Sequence, residues 1–503
     1  CRPFDAHRQG MSLGEGAGFV VLEPLKKAKE RDANIYGLVI GKGASCDGYH
    51  MSGPHPEGEG IRRAMEIALK EGNLPPEKID YINAHGTGTL DNDYIEAKIF
   101  QEIFGTHLPS FSSTKGFTGH CLGATGAMEL IITLWAMEEG RIPPNLGFSN
   151  LDKKIGVAPE IEALSKPIYS ALNPSIGFGG NNCVLLIQKN KDKIEKGFPH
   201  TSISSLTKLA IWGAGACFPE EKPAPLSIPF EVNLPPFFVY QLSRPLSRGD
   251  YPSLKWRKWS NTQRMAMIAA KEVMESLRPF WQKIPPQERA VFAGTGLGET
   301  GHSGEFLKKI FESQEKEPSP NKFVNSVHNS IAAALAIEWG FKGENHTFSH
   351  DYLSFELALW GAWQCLNNKS AKMAFLSAVD EANPYSLLFG YPWDMWKKEK
   401  VKLTPCQYNG EKEDGLIRND FKGTVLGEGA SFFILGPYNS NPEIKPLAFI
   451  QDLDIHFFPC YSSLEEGIEK EALYLEKKIK TLNLESYENL LFLLGANGDP
   501  ALD

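Results

Sequence analysis

Two histidines and a lysine, each set in a glycine-rich stretch, are the residues of this chain best suited to chemistry. His85 lies in Asn83-Ala84-His85-Gly86-Thr87-Gly88-Thr89, directly after the apolar, strand-like run Ile79 to Ile82. Gly86 and Gly88 permit backbone conformations with positive φ and close approach of a ligand. The imidazole, the hydroxyls of Thr87 and Thr89 and the loop amides can therefore converge on one small volume. Lys115 and His120 lie in residues 112–129, SSTKGFTGHCLGATGAME, whose glycines lead into an apolar run from Met128. This reads as a loop entering a closely packed helix, where free backbone N–H groups favour negative charge. A third such stretch, NPSIGFGGNN at 173–182, holds one bulky side chain, Phe178, before another strand-like run. A single histidine at a strand–loop boundary is commonly structural. A second histidine and a lysine in matching surroundings raise His85 above that reading, and with the threonines they offer one set of hydrogen-bonding groups.

Acidic residues follow the first histidine. Asp91, Asp93 and Glu96 suggest a metal site at first sight, but the simpler expectation is that they cap the following helix and hold the loop. His50, in Asp47-Gly48-Tyr49-His50, is expected to be structural and satisfied by loop backbone.

The elements that position these residues repeat. Residues 13–22 read LGEGAGFVVL and residues 426–435 read LGEGASFFIL; INAHGTGTLD at 82–91 is echoed by LGANGDPALD at 494–503. The two matches keep their order and nearly one offset, far too long for a solenoid. Two copies of one large domain are expected. On that map residues 1–188 are the C-terminal half of the first copy, 189–208 a Lys-rich then Ser/Thr-rich linker, and 209–503 the N-terminal half and a little more of the second. The chain is accordingly expected to be a fragment. Ile61, Ala64, Met65, Ala68 and Leu69 have helical spacing, with a counterpart near 468–480, and Thr262 to Leu277 forms a second amphipathic pattern. Helices alternating with β-branched runs such as 182–187 and 290–293 indicate an α/β layered fold.

Composition excludes several classes. The 503 residues carry a formal net charge of −9, with 42% hydrophobic and 22% charged residues, which argues against nucleic-acid binding. Eight cysteines without a CxxC pair suit a reduced, cytoplasmic setting. No apolar run is long enough to span a bilayer as a helix.

The motifs RPFD…GEGAG (2–18), SCDGYHMSGPHP (45–56), NAHGTGT with Asp93 and Glu96 (83–96), STKGFTGHCLGATGA (113–127) and NPSIGFGGNN (173–182) cover nearly all of residues 1–187. Through them the chain resembles the β-ketoacyl-acyl-carrier-protein synthases, condensing enzymes of the thiolase superfamily. The resemblance implies a thiolase-like layered αβαβα fold, built from two similar halves and paired as a dimer. It implies decarboxylative Claisen condensation of malonyl and acyl thioesters on a Cys–His–His site. His85 and His120 would be the two histidines, and Lys115 would hold the site's charge and hydrogen-bond network with Glu129. Phe178 would gate the acyl thioester, while Thr87 and Thr89 would contact the pantetheine arm. Acyl carrier protein would be the partner, its phosphopantetheine carrying the substrates, with no metal and no further cofactor. The nucleophilic cysteine of the family lies well before the first histidine. Cys1, Cys46, Cys121 and Cys183 do not match its position, so it is expected upstream of residue 1.

The second copy resembles the family more weakly. Where the nucleophile turn belongs it reads Thr347-Phe348-Ser349-His350-Asp351-Tyr352, placing Tyr352 at the cysteine and Asn497 at the first histidine. A phenol titrating near 10 is a poor acyl acceptor. Residues 326–330, SVHNS, resemble chain-length-factor-like synthases, and His328 is expected to be a buried interface or structural histidine. The G-x-G-x-G at 294–298 lacks a GK[ST] ending and is not expected to bind a nucleotide. The tryptophans Trp256, Trp259, Trp360, Trp363, Trp393 and Trp396 are expected in core or interface. The expectation is therefore a synthase fused to a catalytically silent partner that sets product length, their pairing intramolecular or homodimeric. The product would be a fatty acid or a polyketide or polyene chain. A non-catalytic carrier-binding scaffold and a coenzyme A-dependent thiolase are the alternatives; paired histidines disfavour the thiolase.

Overall fold

The computed structural model of the protein describes residues 1–190, 209–218, 224–226, 237–239, 242, 245–314, 319–350, 353–386, 428–437 and 446–450. Tyr352, Asn497, Trp393, Trp396, the pattern at 468–480 and nearly all of the stretch 189–208 lie outside the described residues.

The first sheet is built from β1 (Leu38–Cys46), β2 (Tyr81–Asn83), β3 (Ser110–Ser112), β4 (Ser170–Gly177) and β5 (Asn181–Gln188). Between them run the helices α1 (Glu59–Glu71), α2 (Leu90–Phe104) and α3 (Thr125–Glu139). The strand order is β1-β5-β4-β2-β3. The pairs β1/β5 and β5/β4 are antiparallel, and β4/β2 and β2/β3 parallel. A second sheet takes β6 (Leu209–Cys217), β7 (Arg289–Gly294), β8 (Asn345–Phe348), β9 (Met373–Asp380), β10 (Gly429–Pro437) and β11 (Ala448–Ile450), with helices α4 (Asn261–Ser276), α5 (Ser330–Trp339) and α6 (Ser354–Asn367) between its strands. Its order is β8-β7-β9-β10-β6-β11. With the edge strand β11 set aside, both sheets run first-fifth-fourth-second-third, with the same sequence of parallel and antiparallel neighbours. The two halves share one topology, that of an α/β layered fold.

The same local device seats the first helix in each half. Ile61, Ala64, Met65, Ala68 and Leu69 all face inward from α1. The helix lies directly on β1, because a Cβ on Gly43 would fall 1.8 Å from the Ala64 carbonyl oxygen. In the second half a Cβ on Gly215 would fall 2.1 Å from the Ala269 carbonyl oxygen of α4. Only glycine allows so close an approach. Helix α4 is started by Ser260, whose hydroxyl accepts from Gln263 N while Gln263 answers with its side chain, a reciprocal cap. Met65 is fully buried, so Met65→Ala is expected to lower stability by about 2–5 kcal/mol. Urea unfolding checks this; a negligible change would mean that α1 is not packed as described.

The two halves touch along β1. Arg63 Nη2 donates to the carbonyls of Cys46 (3.1 Å) and Lys342 (2.5 Å), and Lys342 pairs with Glu59 at 2.6 Å. The two LGEGA stretches differ. Residues 429–435 lie in β10 between β9 and β6, whereas residues 14–22 form no strand, with Phe19 91% and Val21 90% exposed. No described strand lies beside that segment to accept its backbone. Among the described residues no helix is long and apolar enough to cross a membrane.

Candidate active site

The three candidate residues meet beyond the carboxyl ends of the parallel strands β2 and β3, where α/β sheets place their ligand sites. His85 follows β2, Lys115 opens the short helical turn Lys115–Thr118 after β3, and His120 precedes α3. The two imidazoles sit 5.4 Å apart between ring centroids, edge to face. Lys115 and Glu129 form an ion pair buried at both ends. The Lys115 ammonium also donates to the His85 carbonyl and stands 3.4 Å from His85 Nδ1. His120 Nδ1 accepts from Leu122 N at 3.2 Å and lies 3.1 Å from the Thr125 hydroxyl.

These contacts decide the tautomers. A backbone N–H pointed at His120 Nδ1, and an ammonium beside His85 Nδ1, make both Nδ1 atoms acceptors. The remaining proton of each neutral ring is then on Nε2. Burial first, then the Lys115 charge and then His120, hold His85 well below the ordinary imidazole range. Burial, followed by Lys115, pushes His120 down to about 4. Both rings are neutral at pH 7. Burial pushes Glu129 up to about 7 against the opposing pull of Lys115, and its Oε2 has no hydrogen-bond partner among the described residues.

The loop that carries His85 is held by carboxylates from α2. Glu96 accepts from the amides of His85 (2.6 Å) and Gly86 (2.8 Å). Asp93 accepts from Phe4 N, Thr87 N and Gly88 N. Burial raises both acids, Glu96 to about 8, and the loop amides counter it. The expectation that Asp91, Asp93 and Glu96 also cap the helix is corrected. Thr89 holds the N-cap position with no side-chain cap, because Asp93 and Glu96 turn back to the loop and Asp91 faces solvent. The Thr87 and Thr89 hydroxyls lie 2.9 Å apart.

Several supporting residues carry no signal strong enough to assign from sequence. Arg8, 4% exposed, donates to the carbonyls of Thr89 and Leu90 and pairs with Asp152. Asp5 accepts from Ser149 N and Asn150 N, and Ser113 Oγ donates to the Gly86 carbonyl. His120 N donates to Ser12 O at 2.7 Å. Asp5 ends the RPFD stretch and Arg8 follows three residues later; the motif is visible, but its partners, far away in sequence, are not.

The remaining candidates fall into place separately. His50 accepts from Ser52 N and Gly53 N, a local turn. Cys46 and Cys121 are buried and all six described cysteines are free; burial pushes Cys46 up to about 11. His328 is exposed in the single chain, just before α5, with its ring against Gly298. The amides of Gly296 and Leu297 are filled by Asp380, so the G-x-G-x-G turn keeps no cradle for a phosphate. Trp256, Trp259 and Trp363 are buried, while Trp360 is 40% exposed. Among the described residues no group of three His, Cys, Asp or Glu side chains is placed to hold a metal.

Residues 36–149 match the family model "Beta-ketoacyl synthase, C-terminal domain", and residues 252–440 match "Beta-ketoacyl synthase, N-terminal domain". The chain belongs to the beta-ketoacyl synthase family. The C-terminal-domain match precedes the N-terminal-domain match along the chain. The chain is 43% identical over 192 residues to the 3-oxoacyl-[acyl-carrier-protein] synthase 2 of Coxiella burnetii, covering 37% of this chain and 46% of that protein. Against the same enzyme of Synechocystis sp. it is 42% identical over 193 residues, 37% of this chain and 46% of the relative. The chain thus spans about half the length of the curated relatives it matches. A solved structure titled "PfaC Keto synthase-Chain length factor" shares the fold, with a TM-score of 0.67 at 18% identity over 87% of this chain and 52% of that one.

Proposed function

We propose that the protein performs decarboxylative condensation: it joins a malonyl unit held on acyl carrier protein to an acyl thioester, in fatty acid or polyketide synthesis. The orientation of the two histidines carries this reading. With both Nδ1 atoms engaged as acceptors, the two Nε2–H groups are the donors left for a substrate oxygen. When the bond between the malonyl carboxylate and its α-carbon breaks, CO₂ leaves and the electron pair enters an enolate whose charge rests on the thioester oxygen. Two neutral donors preorganised in a buried site stabilise that oxygen without any proton transfer. The enolate carbon then attacks the carbonyl of the acyl thioester, and the thiolate that held the acyl group departs. Residues Thr87 and Thr89 would bind the pantetheine arm, and Phe178 would gate the acyl chain. Cys1, Cys46, Cys121 and Cys183 do not match the position of the family's nucleophile; Cys46 and Cys121 are buried, and the Cys1 thiol is directed to the Thr87 carbonyl at 3.0 Å.

The second copy, whose aligned residues Tyr352 and Asn497 remove the thiol and an imidazole, would assist by shaping the acyl pocket and limiting product length. Such pairing is intramolecular in this reading, and the enzyme works in the reduced cytoplasm with carrier protein as its partner. Incubating the full-length protein with malonyl- and acyl-carrier protein, followed by mass spectrometry of the carrier, tests the proposal. Products longer by two-carbon steps are expected. A carrier that binds but returns unextended would instead support a scaffold, and extension only from coenzyme A thioesters a thiolase.

The pH dependence gives an independent check. His120 must be neutral for its Nδ1 to accept from Leu122 N, and its folded pKa lies near 4, below the ordinary imidazole value. Activity is therefore expected to hold as pH falls through 6.5 and to drop only around 4. An acid limb centred near 6.5 would contradict the buried, lysine-flanked site.

A further inference from the structure

The turn that carries Phe178 is gripped by the second copy as well as by its own. From its own side, Gly179 N donates to Met51 O at 2.6 Å and Asp47 N to Gly180 O at 2.8 Å. Asn182 Nδ2 in turn donates to Asp47 Oδ1 at 2.8 Å, so the strap is continuous with β5. From the other side come three contacts by residues in the second half. Phe323 meets the Phe178 ring edge to face, with centroids 5.9 Å apart. Ala333 packs under Gly179 so closely that a Cβ on that glycine would fall 2.2 Å from the Ala333 methyl. Gly179 also has φ +77°, a second reason for glycine there. Asn329 Nδ2 donates to the Phe178 carbonyl at 2.8 Å.

The asparagine is the informative member. It occupies the N-cap position of α5, where an Asn side chain ordinarily accepts from the helix's own first amides. Here it makes no such cap and turns its amide outward to a carbonyl in the other half. A carbonyl only accepts, so the nitrogen must face it, whichever way the amide is otherwise assigned. The helix start is itself fixed, since Ser330 Oγ donates to the buried Glu299. The donor is thus presented from a rigid support rather than from a mobile loop.

We propose that Asn329, with Ala333 and Phe323 as its packing companions, is a positioning residue by which the second copy holds the Phe178 turn of the first and so sets which acyl chains pass it. This rests on the functional reading above for its consequence, though not for the hold itself. The silent copy then acts on the site through a backbone carbonyl next to the gate, in addition to any wall it contributes.

The test uses the full-length protein with Asn329→Ala, which removes the donor, and Asn329→Asp, which keeps the shape but offers only acceptors. Hydrogen exchange at the Gly179 amide is expected to quicken roughly 3- to 10-fold in both, the range a single net hydrogen bond supports, while the Ala84 amide in the histidine strand keeps its wild-type rate. The distribution of carrier-bound product lengths is expected to broaden in both variants. Wild-type exchange at Gly179 in a folded Asn329→Asp protein overturns the hold. Faster exchange with an unchanged product distribution overturns its link to chain selection. If the wild-type protein extends no substrate, the functional reading fails by itself, and the exchange result still decides the hold.

Discussion

Lys115→Met is expected to destabilise the protein by about 3–5 kcal/mol, because it leaves the Glu129 carboxylate buried without its cation. Lys115 is 1% and Glu129 2% exposed, so solvent cannot take over the pairing. The ammonium has further partners in the His85 carbonyl and the neighbourhood of His85 Nδ1, which stiffen the loop at the end of β2. The double variant Lys115→Met/Glu129→Leu is expected to recover most of the loss, since a buried ion pair replaced by apolar groups of similar size is often near neutral. Urea unfolding of the wild type, the single and the double variant at pH 7 separates these cases. If the single variant unfolds at the wild-type midpoint, the buried pair is not as described. A double variant as unstable as the single one would place the cost in lost packing instead.

His120→Ala is expected to lower the condensation rate by about 10²–10³-fold, the usual effect of removing one donor from a preorganised oxyanion site. The KM for malonyl-carrier protein should change little, because the lost hydrogen bond matters when charge develops on the thioester oxygen, not when the substrate docks. His85→Asn, which installs the residue aligned in the second copy at Asn497, should lose a similar factor. The two losses should not multiply in the double variant, since both donors serve one oxygen. Steady-state kinetics with each protein checks the pattern. A raised KM at unchanged kcat would assign the histidines to substrate binding alone.

The parts of this account that could be read from sequence are those with local patterning. The inward face of α1 follows from Ile61, Ala64, Met65, Ala68 and Leu69 at helical spacing, and α4 was displaced by only one residue from its expected span. His85, Lys115 and His120 stood out because each has glycines around it. What the sequence could not supply were partners separated by a long stretch of chain: Arg8 with Leu90, Asp5 with Asn150, Asn329 with Phe178. No periodicity marks such pairs. Asp93 and Glu96 hold the loop as expected but do not cap the helix, for a related reason. An acid in the first turns of a helix fits the dipole whether it faces the helix's own amides or the preceding loop, and only the fold tells which.

The likeness of the two sheets is a different one from the sequence repeat. The half built on β1 and the half built on β6 share one strand order and one glycine-seated first helix, as the resemblance implied, whereas of the repeated LGEGA stretches only the second forms a strand. The third strand of each sheet, β3 and β8, leads into the segment where the first half carries Lys115 and His120 and the second carries Ser349 and His350. The topology delivers chain to equivalent places, and the residue types there decide whether chemistry follows.

The most direct test of the central claim is release of labelled CO₂ from malonyl-carrier protein when no acyl donor is present. The full-length protein is expected to release CO₂ well above the spontaneous rate at pH 7, and His120→Ala is expected to bring that release down by the same 10²–10³-fold. Release that is undetectable in the wild type, or equal in the wild type and His120→Ala, would contradict the assignment of the paired Nε2–H groups to the developing enolate.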